Sequence, residues 1–268
     1  MQELRFLRVA EFKPSRLPIS RLPALTHLEI MLHGPHEGLG SLLRQMRRLQ
    51  SFSIIIAQSY LSTPVLEEMA AVIPYLPNLV ALAIHGSVVT ADIVLFCWSL
   101  RDCTRLRRMY WNHLFSPSEL RIYLQAIAAL PKLEIFHLSV AGDQLDACFI
   151  ARLCRSLPQQ LSVLSLYSPR TCPDDRSTFS GLWTYLTGLS FLNVQYSRCS
   201  KPSLTAQNVV CGSKALQLIG WDGQLHEVTR LGAELVVEPA WSEQKKLFFE
   251  VEDFGCECWN WMMRHLFL

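Results

Sequence analysis

The sequence predicts an α/β solenoid, in which short parallel strands alternate with helices. One observation is a spacing of apolar residues at the first, fourth and sixth positions of a short segment, as in Leu133, Phe136 and Leu138. The other is its recurrence: from Leu79 onward the leading leucines lie at positions 79, 106, 133, 161, 189 and 216, in steps of 27, 27, 28, 28 and 27 residues. Such a period is typical of repeat units that cannot bury their own apolar face and must stack on neighbours.

The same apolar spacing predicts about eight to nine repeat units. The triplets are Leu25/Leu28/Ile30, Leu49/Phe52/Ile54, Leu79/Leu82/Ile84, Leu106/Met109/Trp111, Leu133/Phe136/Leu138, Leu161/Leu164/Leu166, Leu189/Leu192/Val194 and Leu216/Ile219/Trp221, with Leu4/Leu7/Val9 as a possible first copy. If that first copy is a strand, the chain begins inside the array. We then expect either that Met1 is not the natural start or that another element covers this edge, because terminal repeats normally need a capping face.

Composition and charge favour one elongated domain and disfavour several classes of function. Half of the 268 residues are hydrophobic, 18% are charged and the net charge is +2. A continuous apolar interior accounts for the high hydrophobic content. The small net charge does not indicate a basic face that could bind nucleic acid. The uncharged run from 69 to 91 contains prolines and fits one repeat, so we predict no membrane span.

Cysteine usage and the N-terminus indicate a reduced, cytoplasmic or nuclear location. The nine cysteines are an odd number and are scattered along the chain, and the charged N-terminal residues do not form an export signal. Two pairs lie late in successive helical segments, where we expect small buried thiols; they are Cys97 with Cys103 and Cys148 with Cys154.

Helix-start signals separate the predicted strands. Ser116-Pro117-Ser118-Glu119 is a capping box with proline after the cap. Thr63-Pro64 places a capping hydroxyl before a first-turn proline, and Asp143 is expected to cap the helix that follows it. The alternation of strand and helix predicts parallel strands joined by helical crossovers.

The repeat fades after Trp221, which divides the chain into a solenoid over residues 1–221 and a C-terminal capping segment over residues 222–268. Within the capping segment, residues 233–238 and 246–252 are predicted to be strands and residues 256–268 an aromatic-rich helix. We expect this segment to bury the last open edge of the array.

The apolar spacing, the period and the Leu-Pro turns such as Leu130-Pro131 resemble leucine-rich repeats of the ribonuclease-inhibitor-like type. In particular they resemble the repeat region of fungal F-box proteins, over residues 4–225. The resemblance implies a horseshoe with a parallel concave sheet and outer helices. It also implies an intracellular, non-catalytic scaffold that recognises the substrates of a ubiquitin ligase.

Two features depart from that family. The ninth repeat position, usually Asn or Cys, holds residues such as Leu114 and Ala141, so the loops must satisfy their backbone hydrogen bonds differently. The F-box itself is missing, so a Skp1-type adaptor is expected as a partner only if an upstream segment encodes one. The alternative is a structural or regulatory repeat protein unrelated to ubiquitin, such as a fragment of a longer signalling or immunity chain.

The third, fifth and seventh residues of each strand unit face away from the apolar triplets, because alternate side chains of a strand point to opposite sides. We call the surface that these positions form the repeat face. We expect a protein partner to contact its middle, where arginine and aromatic residues are typical of interface hot spots. The residues are Arg108, Tyr110, Asn112, His137, Tyr167, Asn193 and Gln195.

No catalytic, cofactor-binding or metal-binding residue is predicted. The sequence has no nucleophile elbow, phosphate-binding loop, dinucleotide fingerprint or zinc-protease motif. Cys256 and Cys258 have no second pair at ligand spacing. We therefore expect neither an enzyme nor a small-molecule substrate.

Overall fold

The structure is a computed structural model that describes residues 4–9, 23–32, 38–56, 63–86, 90–141, 145–169, 175–196, 204–232, 234–242 and 257–266. It is an α/β protein in which most strand pairs are parallel. The chain divides into two compact units, Met1–Lys132 and Leu133–Leu268, which we call unit 1 and unit 2.

Unit 1 alternates strands with helices, as the sequence predicts. Its strands are β1 (Phe6–Val9), β2 (His27–Leu32), β3 (Ser51–Ile56), β4 (Ala81–His85), β5 (Arg108–Asn112) and the short β6 (Leu114–Phe115). Its helices are α1 (Leu39–Gln45), α2 (Thr63–Ala70), α3 (Thr90–Leu100) and α4 (Pro117–Ile127), with a 3₁₀ helix at Ile73–Tyr75. Strands β1 to β5 are neighbours in chain order and all run parallel.

Unit 2 begins with parallel strands, as in unit 1, and continues with antiparallel strands. Strands β7 (Ile135–Val140), β8 (Val163–Ser168), β9 (Phe191–Tyr196) and β10 (Leu218–Trp221) include three consecutive parallel pairs. Strands β11 (Gln224–Leu231) and β12 (Glu234–Val237) continue the order antiparallel. The helices are α5 (Ala147–Ser156), α6 (Ser180–Tyr185), α7 (Ala206–Val210) and α8 (Glu257–Leu266), with a 3₁₀ helix at Arg176–Phe179.

Strand register follows the repeat in both units. In unit 1, Leu28 pairs with Phe52, which are both fourth-position residues of their repeats. In unit 2, Leu164 pairs with Leu192 in the same way. Each strand residue therefore lies beside the residue at the same repeat position of the next strand. Side chains at one repeat position thus form a continuous row across neighbouring strands.

The apolar triplets form the core, as predicted. All members of the eight triplets from Leu25 to Trp221 are buried. Fully burying one such side chain contributes about 1.5–3 kcal/mol relative to leaving it exposed, so these rows are a major stabilising contribution. The first copy differs: β1 forms and pairs with β2, but Leu4 is 39% exposed and Leu7 and Val9 are only half-buried.

The structure confirms one predicted helix cap and corrects another. Ser116 donates its backbone N–H to Glu119 Oε2 at 2.7 Å, and the predicted capping box is confirmed. The assignment of Asp143 as a helix cap was wrong: α5 begins after Asp146, whose Oδ1 accepts the backbone N–H of Phe149 at 2.6 Å. Asp143 lies outside the described residues, as do the side chains of Thr63 and Pro64 at the start of α2.

The C-terminal segment contains a strand that sequence reasoning missed. Strand β12 and helix α8 lie within the predicted ranges, whereas residues 246–252 are outside the described part of the chain. The missed strand is β11, which folds back on β10 through Asp222 (φ 53°) and Gly223 (φ 71°). An Asp-Gly pair with two positive φ angles is the signature of a tight two-residue hairpin, and this signal was present in the sequence.

Candidate partner-binding face

Three of the predicted contact residues alternate along β5 in unit 1. Arg108 is half-buried, Tyr110 is buried and Asn112 is exposed. His85, at the end of β4, lies beside Tyr110 with ring centroids 4.7 Å apart. Burial lowers the pKa of His85 to about 4 and raises the pKa of Tyr110, so both rings are uncharged at neutral pH. Arg108 supplies the positive charge among these four side chains.

A row of buried polar side chains crosses β7, β8 and β9 in unit 2. His137, Ser165 and Asn193 hold the same repeat position and are paired in register. Asn193 Nδ2 donates to Ser165 Oγ at 2.9 Å, and Ser165 Oγ lies 2.9 Å from His137 Nδ1. His137 Nε2 lies 3.0 Å from Ser139 Oγ. We call these four residues the polar row; each is no more than 2% exposed, and their mutual hydrogen bonds offset the cost of burying them.

Gly220 continues the same repeat position on β10, beside Asn193. A Cβ atom at Gly220 would lie 2.1 Å from Asn193 Oδ1 and 2.9 Å from Asn193 Cγ, which is far inside contact distance. The missing side chain of Gly220 therefore provides the space in which the Asn193 amide lies.

The polar row contains a serine beside a histidine, but its geometry does not suit nucleophilic catalysis. Ser165 is 0% exposed, so no substrate can reach its hydroxyl group. Asn193 Nδ2 also donates to Ser165 Oγ and uses one of the two lone pairs of the oxygen that would have to attack. Among the residues that the structure describes, no group of three or more His, Cys, Asp and Glu side chains could hold a metal ion.

The last two predicted contact residues lie next to each other. Tyr167 on β8 pairs in register with Gln195 on β9, and both are half-buried. Of the seven predicted residues, four therefore retain accessible surface: Arg108, Asn112, Tyr167 and Gln195. The structure buries the other three, Tyr110, His137 and Asn193. The assignment of these residues as partner contacts stays a prediction.

Helix α8 lies against the repeat face of unit 2. Trp259 Nε1 donates to Ser190 Oγ at 3.3 Å, and the Trp259 ring lies 6.3 Å from Phe191, a third-position residue of β9. The helix also contacts β8, and Met262 is 0% exposed. The sequence predicted the helix but not its position, because the contact joins residues 69 positions apart.

No helix in the described ranges is long and apolar enough to cross a lipid bilayer. No protein-family model matches this sequence, and no curated protein matches it either.

Proposed function

We propose that the chain is a leucine-rich repeat solenoid that acts as a non-catalytic scaffold and binds a protein partner on its repeat face. The observation that carries the proposal is the register: within each unit, residues at one repeat position lie side by side on consecutive parallel strands. Such rows form a regular, extended surface, which suits recognition of another macromolecule better than enclosure of a small substrate.

The accessible side chains of this face support the same proposal. Arg108 and Asn112 present a guanidinium group and an amide in unit 1, and Tyr167 and Gln195 present an aromatic ring and an amide in unit 2. Arginine and tyrosine contribute strongly to protein interfaces because they combine a large contact area with a fixed polar group. Within unit 2, the hydrogen bonds of the buried polar row join side chains of β7, β8 and β9.

The proposed role in a ubiquitin ligase rests on the resemblance to the repeat region of fungal F-box proteins. It places the protein in the cytoplasm or nucleus and requires a Skp1-type adaptor. The test is affinity purification of the chain as given and of a chain extended in frame upstream of Met1. Recovery of the adaptor with the extended chain supports this role. Absence of the adaptor from both forms removes it and leaves the scaffold proposal intact.

The scaffold proposal is tested by substitutions at accessible positions of the repeat face. We expect Arg108→Ala, Asn112→Ala and Gln195→Ala to reduce recovery of the specific partner about tenfold where the residue is a hot spot, which corresponds to about 1.4 kcal/mol. Arg121→Ala and Gln125→Ala, at exposed positions of α4, are the matched controls and should retain the partner. Equal recovery with all five folded variants would contradict the proposal.

A further inference from the structure

We propose that the repeat face at β8 and β9 is a docking site for an amphipathic helix, and that α8 occupies this site in place of a partner. The expected partner helix presents an aromatic residue and, three residues later, an unbranched apolar residue. This inference rests on the proposed scaffold function and names the kind of ligand that the face accepts.

The contacts of α8 define the chemistry of that ligand. The Trp259 ring lies at 62° to the Phe191 ring, with centroids 6.3 Å apart, and its indole N–H donates to Ser190. Met262, three residues later and thus on the same side of the helix, is completely buried. Arg264 is exposed, whereas Trp261, Met263 and His265 are buried as well. An apolar helix side that enters a protein surface at positions i and i+3 is a known mode of peptide recognition, and methionine adapts well to such sites.

The face beneath α8 keeps its polar groups satisfied without α8. Ser190 Oγ already donates to the backbone oxygen of Ser162 at 3.0 Å, so loss of Trp259 leaves that hydroxyl hydrogen-bonded. His137, Ser165 and Asn193 hydrogen-bond to one another within the sheet. Release of α8 therefore exposes apolar surface but leaves no hydroxyl, ring nitrogen or amide of this set without a partner.

Helix α8 gains its order from the face and contributes no strand to the sheet. Strands β7 to β10 are joined by their own parallel pairing. A helix of ten residues is marginal in water on its own. Its helical state therefore depends on packing, and the packed side chains include Trp259 against Phe191 and the buried Met262. A partner helix with the same contacts can replace it, because both would gain the same interactions.

The test measures binding of a fluorescently labelled peptide with the sequence of residues 257–266 to the full chain. In the wild-type protein, the tethered α8 competes at an effective concentration in the millimolar range, so we expect weak binding. Met262→Glu places a carboxylate at a buried position and should release α8. We expect this variant to bind the peptide at least tenfold more tightly than the wild type. Trp259→Ala is a milder second variant with the same expected direction.

Arg264→Glu changes an exposed residue of the same helix and should bind the peptide as weakly as the wild type. A peptide of scrambled sequence controls for unspecific apolar binding. The inference is overturned if neither releasing variant binds the peptide, if the scrambled peptide binds equally, or if both variants lose the fold by circular dichroism. The last outcome would mark α8 as an obligatory part of the fold. These readouts involve no natural partner, so their failure is distinct from failure of the scaffold proposal.

Discussion

Gly220 is the residue that makes room for the polar row of unit 2. We predict that Gly220→Ala lowers the free energy of unfolding by about 1–3 kcal/mol, a typical cost of forcing extra volume into a packed interior. The reason is that the added Cβ would lie 2.1 Å from Asn193 Oδ1, so the amide must leave its hydrogen bond to Ser165. Urea denaturation monitored by circular dichroism measures the difference.

A matched control for this substitution lies in the same unit. Gly181, in α6, has no neighbouring atom within 4 Å of an added Cβ. Gly181→Ala should therefore be neutral or stabilise the protein by up to about 1 kcal/mol, because alanine favours the helix. Replacing Asn193 by serine in the Gly220→Ala background should recover part of the loss. A Gly220→Ala variant as stable as the wild type would show that the amide of Asn193 does not need this space.

His85 gives unit 1 a pH-dependent stability. Burial lowers its pKa from 6.5 to about 4, so the unfolded chain takes up the proton before the folded chain does. The free energy of unfolding should thus fall as the pH decreases from about 6.5 to 4, and this residue should have no effect above that window. The loss in the free energy of unfolding that is linked to protonation of His85 is at most about 3 kcal/mol.

The His85→Gln variant isolates this contribution, because both proteins share every other titrating group. We expect the wild type to lose stability relative to the variant as the pH falls from 7 to 4.5, measured by urea unfolding at each pH. Parallel pH profiles for the two proteins would show that His85 does not titrate with a lowered pKa.

The N-cap of α5 is a clear test of local structure. Asp146 Oδ1 accepts the backbone N–H of Phe149 at 2.6 Å. We predict that Asp146→Ala destabilises the protein by about 1 kcal/mol, whereas Asp146→Asn retains most of the stability because asparagine caps equally well. Thermal unfolding of the two variants beside the wild type measures both effects. Equal loss in both variants would assign the contribution to charge rather than to capping.

The strands could be predicted from the sequence because their positions depend on local spacing. Each triplet, such as Leu161, Leu164 and Leu166, fixes which side of its strand is buried within six residues of chain. The cap of α5 was misplaced by three residues because Asp143 and Asp146 are both good capping residues, and spacing alone does not choose between them. Strand β11 was missed because it follows a different rule, the Asp-Gly hairpin.

The character of the repeat face could not be predicted in the same way. Alternation along a strand places His137 and Asn193 on that face, but it does not say what lies against the face. In unit 2, helix α8 contacts β8, and its Trp259 donates to Ser190, a residue 69 positions earlier in the chain. Such distant contacts leave no periodic pattern, so the burial of these side chains follows from the folded chain and not from the repeat.

The cysteines report on how tightly the helical segments of each unit pack. Cys97 and Cys103 in unit 1 and Cys154 in unit 2 are buried, whereas Cys148 and Cys211 are exposed. The predicted burial of Cys148 was therefore wrong. Burial raises the pKa of Cys97 and Cys103 to about 12 and that of Cys154 to about 11, so their reactive thiolate forms are scarce near neutral pH.

We predict that iodoacetamide at pH 8 modifies Cys148 and Cys211 within minutes and leaves the three buried thiols largely unmodified, as measured by peptide mass spectrometry. In concentrated guanidinium chloride all nine cysteines of the sequence should react. A buried thiol reacts only when its surroundings unfold locally. The ratio of its modification rates in the folded and the unfolded protein therefore reports the free energy of that local unfolding. Rapid modification of Cys97 or Cys154 in the folded protein would mean that α3 or α5 unfolds locally at a low free-energy cost. The helices would then not support a stable, preformed repeat face.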